Sequence, residues 1–250
     1  MHMYFEATAL LYILTVFTVM VLLTGIYANI YLWRKGKAPS LHHKIHFGSM
    51  IKSLILDAFL QLQLLKQSFV RWLMHFCIFW GFLGLLAHTT FLAIMSHLIP
   101  QNLSFSQYIF LGPGKIYLDV WGDLWGLILF IGIVIAIFRR YIFRAEQLDT
   151  IASDTTAILF LFFITLTGFI CEAQRLAAVP FEPYMRYSFI GCPLASLVRS
   201  IPSLALDYNS IVWIHALISF VFLAYIPFSK MFHIIVSPVE IALDASEKND

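Results

Sequence analysis

The apolar positions of this chain fall into five long runs, at about Leu10 to Trp33, Val70 to His97, Val120 to Phe138, Ala157 to Val179 and Ile211 to Phe232. Each approaches or exceeds the roughly 20 residues that a helix needs to cross the hydrocarbon core of a bilayer. Backbone in lipid must satisfy its own hydrogen bonds, so each run is expected as a helix. The first run is too long for a cleavable leader, and no basic residue precedes it. The pattern predicts an all-α integral membrane bundle of five transmembrane helices, forming one transmembrane domain over residues 1–250.

A sixth periodic stretch is shorter and mixed. From Met50 to Phe69, apolar Ile51, Leu54, Ile55, Ala58, Phe59, Leu62, Leu65 and Phe69 alternate at helical spacing with Lys52, Asp57, Gln61, Lys66 and Gln67. It is expected either as an amphipathic helix lying at the membrane surface or as a docking face for a soluble partner. A second amphipathic piece, Leu194 to Ile201, follows the fourth run within a loop that carries Pro183, Pro193 and Pro202.

The basic residues orient the bundle. Arg34, Lys35, Lys37, Lys44, Lys52, Lys66, Arg71, Arg139, Arg140, Arg144, Lys230 and Lys248 fall on one side, against Lys115, Arg175, Arg186 and Arg199 on the other. By the positive-inside rule the N-terminus is outside and the C-terminus inside.

Composition agrees with this picture. The chain is 60% hydrophobic and 12% charged, against about 25% charged residues in a soluble domain. The net charge of +2 gives no reason to expect a nucleic-acid partner. Cys77, Cys171 and Cys192 have no spacing suited to zinc or an iron–sulfur cluster. Cys171 and Cys192 would suit a disulfide if their side is oxidising.

The unusual residues are histidines inside apolar runs. His75 and His88 lie on the second, with His97 at its edge, and His215 and His233 on the fifth. A single intramembrane histidine is ordinarily a satisfied packing residue. Four of them, on two helices running in opposite directions, pair by depth as His75 with His233 and His88 with His215. Ionisable residues at such depth are functional-site candidates, and imidazole is a standard axial ligand of haem iron. His215 and His233 are eighteen residues apart, five turns and about 27 Å of rise. His75 and His88 are thirteen apart and turned by roughly 220° on an ideal helix. Either Gly81 and Gly84 adjust the helix between them, or His97 replaces His88. Arg71 and Lys230 stand where they could meet haem propionates, and equally where basic anchors belong. His42, His43 and His46 read as a solvated basic loop.

Two carboxylate features remain. Asp119 and Asp123 read as residues of a helix start, favoured there by the macrodipole. Glu172 and Arg175, three apart, share a face near the end of the fourth run. They are an interfacial ion pair, or else they line a pocket where a quinol gives up protons.

Several motifs are similar to those of a known family. Tyr225-Ile-Pro-Phe-Ser-Lys-Met-Phe-His-Ile-Ile-Val-Ser-Pro-Val-Glu240, with Trp-Ile-His215 upstream, resembles the fifth helix of the respiratory nitrate reductase gamma subunit. The haem b subunits of heterodisulfide reductase, and of the membrane complex serving dissimilatory sulfite reduction, resemble it more closely. To these the segment from Arg71 to Leu85, Gly122-Asp123 and Thr167-Gly-Phe-Ile-Cys-Glu-Ala-Gln-Arg175 are also similar, so the resemblance covers about residues 48 to 240. It implies a cytochrome b with two b-type haems, the inner one held by His75 and His233 and the outer one in part by His215. In the nitrate reductase pattern the remaining ligand would fall at Leu85, and His88 lies one turn beyond.

The expected protein is therefore a multi-pass subunit of a prokaryotic cytoplasmic membrane. It passes electrons between a membrane quinone or phenazine and an iron–sulfur partner on the inner side, within a complex that has room for an outer cytochrome and further membrane subunits. Two rivals stand beside it: a haem-bearing anchor and electron wire without a quinone site, and a haem-free proton-coupled transporter.

Overall fold

A computed structural model describes residues 9–35, 46–143 and 152–247. His42, His43 and Asp149, and the basic residues Lys37, Lys44, Arg144 and Lys248, lie outside the described residues.

Ten α-helices are described: α1 Ala9–Lys35, α2 Phe47–Ser53, α3 Leu62–Gln67, α4 Phe69–His97, α5 Ser104–Phe110, α6 Gly114–Ile137, α7 Ala152–Ala177, α8 Gly191–Ser200, α9 Tyr208–Tyr225 and α10 His233–Glu247. Among the described residues, five helices are long and apolar enough to span a membrane, namely α1, α4, α6 with its π-helical extension to Ile142, α7 from Asp154, and α9 with the turn to Phe228. The chain is a multi-pass membrane protein of all-α class, as its apolar runs predict. Much of α1 is exposed, including Ile13, Phe17, Met20 and Tyr27, which is the face lipid covers.

Three boundaries differ from the sequence expectation. The third span begins at Gly114 rather than near residue 120. Lys115 and Asp119 pair four residues apart at 2.7 Å, so the charged residues join the helix instead of preceding it. The stretch from Met50 to Phe69 is not one helix. A π-helical turn at Leu54–Phe59 follows α2, and Gln61, at φ 55°, starts α3 in a new direction. The last span does not run to His233 either. Pro227 lies in a 3-10 turn, Ser229 is extended (φ −129°, ψ 173°), and His233 opens α10.

The described residues divide into two compact units. The first comprises those within Cys77–Leu148 and Ile158–Ile218. In it α4 and α6 touch through glycine: a Cβ on Gly81 would lie 2.5 Å from the Leu129 backbone nitrogen, and one on Gly132 would lie 2.8 Å from that of Ile78. Small residues at helix crossings are the usual means of close packing in lipid. Leu176, Met185 and Ala195 form a buried cluster seating α8. Asp207 caps α9, its carboxylate accepting from the Ser210 N–H at 2.8 Å. These contacts with Ser210 hold Asp207 below the usual carboxylate range. The cap therefore stabilises fully at neutral pH and is lost as pH falls through the folded-state value. Asp207→Ala is expected to lower thermal stability slightly at neutral pH and to show no further loss in acid, checked by melting curves across pH.

The second unit comprises the described residues within Glu6–Phe76, Asp149–Ala157 and Ser219–Asp250. Here α2 packs on α10, and Gly25 of α1 admits Pro227, whose ring would lie 2.6 Å from an added Cβ. Asn29 donates to the Pro227 carbonyl at 3.0 Å. Trp33 packs against Phe232.

Candidate functional site

His75 and His233 come together in the second unit, their ring centroids 5.9 Å apart and tilted by 51°. The break at Pro227 brings this about. Ser229 accepts from the Met231 N–H at 3.1 Å and closes a short turn, so His233 stands at the start of α10 instead of at the end of a straight α9. Its Nδ1 donates to the Lys230 carbonyl at 2.6 Å. A carbonyl can only accept, so in the neutral ring the lone pair is on Nε2. His75 is held likewise, its Nδ1 donating to Gln61 Oε1 at 3.0 Å. Gln61 is the one described non-glycine residue with positive φ, and it is 6% exposed. Its left-handed backbone separates the π-helical turn from α3, and Trp72 Nε1 anchors the neighbouring Leu60 carbonyl at 2.8 Å.

The first unit contains His88 and His215. His88 bonds the Leu118 backbone, and its Nε2 is buried with no hydrogen-bond partner. His215 Nδ1 meets Thr167 Oγ1 at 2.9 Å. The Thr167 hydroxyl proton goes to the Phe163 carbonyl at 2.7 Å, so the hydroxyl accepts from the histidine. Beside each ring is a glycine: a Cβ on Gly122 would lie 3.1 Å from His88 Cε1, and one on Gly168 3.5 Å from His215 Cε1. Among the described residues no three His, Cys, Asp or Glu side chains converge as a metal site.

The other predicted residues take separate places. Arg71 donates to Gln67 Oε1 at 3.4 Å. Lys230 pairs with Asp154 at 3.2 Å. His97 is exposed at the end of α4, and the three cysteines are free thiols.

Glu172 and Arg175 do face each other, at 3.7 Å, within a larger cluster. Arg175 also reaches Asp119 at 3.4 Å, and Asp119 holds Lys115. Glu172 accepts from the Ser188 hydroxyl at 2.7 Å. Asp123, fully buried, accepts from the Ile190 and Gly191 N–H groups at 2.6 and 3.3 Å. Gly191 allows this approach, since a Cβ there would lie 2.6 Å from the Glu172 carboxyl carbon.

Sequence reasoning assigned no site role to Gln61, Thr167, Lys115, Asp119 or Asp123. The available signal was the spacing of Asp119 and Asp123, four apart and so on one face of an otherwise apolar helix. Placing the helix start near residue 120 made them look terminal.

Residues 51–241 match the family model of HdrE, a subunit of dihydromethanophenazine:CoB–CoM heterodisulfide reductase. The chain is 32% identical over 212 residues to that subunit from Methanosarcina mazei, covering 84% of this chain and 72% of the relative. It is 30% identical to its counterpart in Methanosarcina thermophila, with coverages of 83% and 70%. It is also 29% identical over 247 residues to the EtfAB:quinone oxidoreductase of Syntrophomonas wolfei, covering 91% of this chain but spanning only 32% of that longer protein. No solved structure matches the chain.

Proposed function

The chain belongs to the HdrE family of dihydromethanophenazine:CoB–CoM heterodisulfide reductase subunits, and from that membership we propose that it is a dihaem cytochrome b subunit carrying electrons between a membrane quinol or phenazine and an iron–sulfur partner. The observation that carries this reading is the pairing of His75 with His233 at 5.9 Å. The imidazoles of His75 and His233 would together hold the iron of a b-type haem. The residues fit. Both rings of this pair have Nδ1 committed to a carbonyl oxygen, and the buried, unpartnered His88 Nε2 is a nitrogen awaiting a bond. Each proposed pair, His75 with His233 and His88 with His215, has both members in one unit.

A b-type haem supplies one-electron redox chemistry at its iron. The chain's own residues hold and orient it. Gln61 and Thr167 fix the tautomers of His75 and His215, and Gly122 and Gly168 leave room beside the rings. Arg71 and Lys230 would neutralise its propionates. Glu172 and Arg175 line the pocket in which quinol loses its protons. The basic connections mark the side on which the iron–sulfur partner docks, with the N-terminus on the opposite side of a prokaryotic cytoplasmic membrane. The names of the relatives support a substrate of this class, one naming dihydromethanophenazine and another a quinone.

A redox-difference visible spectrum with a haem count on the detergent-purified chain tests the reading. Two b-type haems per chain are expected, and a colourless chain produced with haem available overturns it. Gln61→Leu and Thr167→Val are each expected to weaken retention of one haem about 10- to 100-fold, the usual effect of losing the partner that orients a ligating histidine. The rate of haem loss to an excess of scavenging globin measures this.

A further inference from the structure

The cluster around Glu172 contains an acceptor with no donor. Asp123 is fully buried in α6. Its Oδ2 takes two backbone N–H groups, while Oδ1 is buried without a hydrogen-bond partner. The Glu172 carboxyl stands beside it across Gly191, whose N–H bonds Asp123 Oδ2 at 3.3 Å and whose added Cβ would lie 2.6 Å from the Glu172 carboxyl carbon, and an ionised carboxylate is an acceptor only. The charges point the same way. Lys115 and Arg175 are two cations among three carboxyls, Asp119, Asp123 and Glu172. His88 and Tyr208 also lie within electrostatic reach of Arg175; a phenol carries no charge at neutral pH, and an imidazole that holds a metal is neutral. One proton balances the set.

We propose that Asp123 and Glu172 form a single proton-binding site, one proton lying between their carboxyl groups and the remaining negative charge facing Arg175. Two carboxylates this close and this buried do not both stay ionised, and a hydrogen between them gives the orphaned oxygen its partner. Ser188 and the N–H groups of Ile190 and Gly191 hold the two groups in place. As a proton-binding site the pair stands on this geometry. Its use rests on the function proposed above: the pair accepts a proton from a hydroxyl or N–H group of the reduced substrate. In that step the substrate's bond to hydrogen breaks, a carboxyl O–H bond forms, and no electron moves.

The test is infrared spectroscopy of the purified chain in water and in heavy water, with Asp123→Asn and Glu172→Gln. Asparagine can keep the acceptor for Ile190 and Gly191, and glutamine the one for Ser188, so both variants are suited to folding. Helical circular dichroism checks that they do. The expected result is a protonated-carboxyl band that shifts in heavy water and is missing from both variants. If the unsubstituted chain lacks this band, or if the band persists in either variant, the shared site is overturned. Reduction of the chain's visible absorption by a reduced menaquinone analogue separates the two levels. A tenfold or greater slowing in both variants, with little change in KM, is expected. If the unsubstituted chain shows the band but no quinol-linked reduction, the proton site stands and the quinol reading falls.

Discussion

Replacing His75 or His233 by alanine is expected to remove the same haem, lowering the count from two per chain to one, and the double variant should lose nothing further. The two rings lie 5.9 Å apart in one unit, so removing either would take away one of the two imidazoles that would hold this haem. His88→Ala and His215→Ala should each remove the other haem. The combination of His75→Ala with His88→Ala should leave none. Reduced-minus-oxidised spectra and pyridine haemochrome assays of the four single and two double variants measure this. Two haems surviving in His88→Ala would move the second ligand of that centre elsewhere, with His97 the next to test. Additive losses within the His75 and His233 pair would break the pairing itself.

Gly81→Ala is expected to destabilise the first unit by about 1–3 kcal/mol, the usual cost of overpacking, lowering the melting midpoint by roughly 5 °C. The added methyl would lie 2.5 and 2.6 Å from Leu129 backbone atoms, which cannot swing aside as a side chain can. Leu129 and Ile133 are among the most buried residues of α6, so α4 and α6 must move apart and lose packing along their crossing. Gly48→Ala is the control, because nothing lies within 4 Å of its added Cβ and alanine favours helix by about 1 kcal/mol. Melting curves in one detergent compare them. An unchanged midpoint for Gly81→Ala would mean that the two helices are not in this contact.

The spans were legible because lipid imposes a local rule: about 20 apolar residues in a helix that satisfies its own backbone. The same rule made the four histidines conspicuous, since they interrupt runs where polar groups are costly. Residues three or four apart share a helical face wherever that helix packs, so Glu172 and Arg175 were recognisable as a pair, and the periodicity around Leu194 predicted α8.

Tertiary structure decided the rest, wherever helical phase is interrupted. Counting turns from His215 places His233 on the same helix, with Pro227 permitting no more than a kink between them. The chain instead breaks after Tyr225, and Asn29, 198 residues earlier in sequence than Pro227, satisfies that proline's carbonyl. Gln61 adopts a left-handed backbone with its side chain on His75, fourteen residues away, which no local propensity of glutamine calls for. Asp123 looked like a residue of a helix start until α6 began at Gly114 and the start of α8 supplied its two N–H donors. Local periodicity determines which residues share a face on one helix. Which faces meet, and where a helix can break, depends on hydrogen bonds between residues far apart in the chain, and these exist only once the helices have packed.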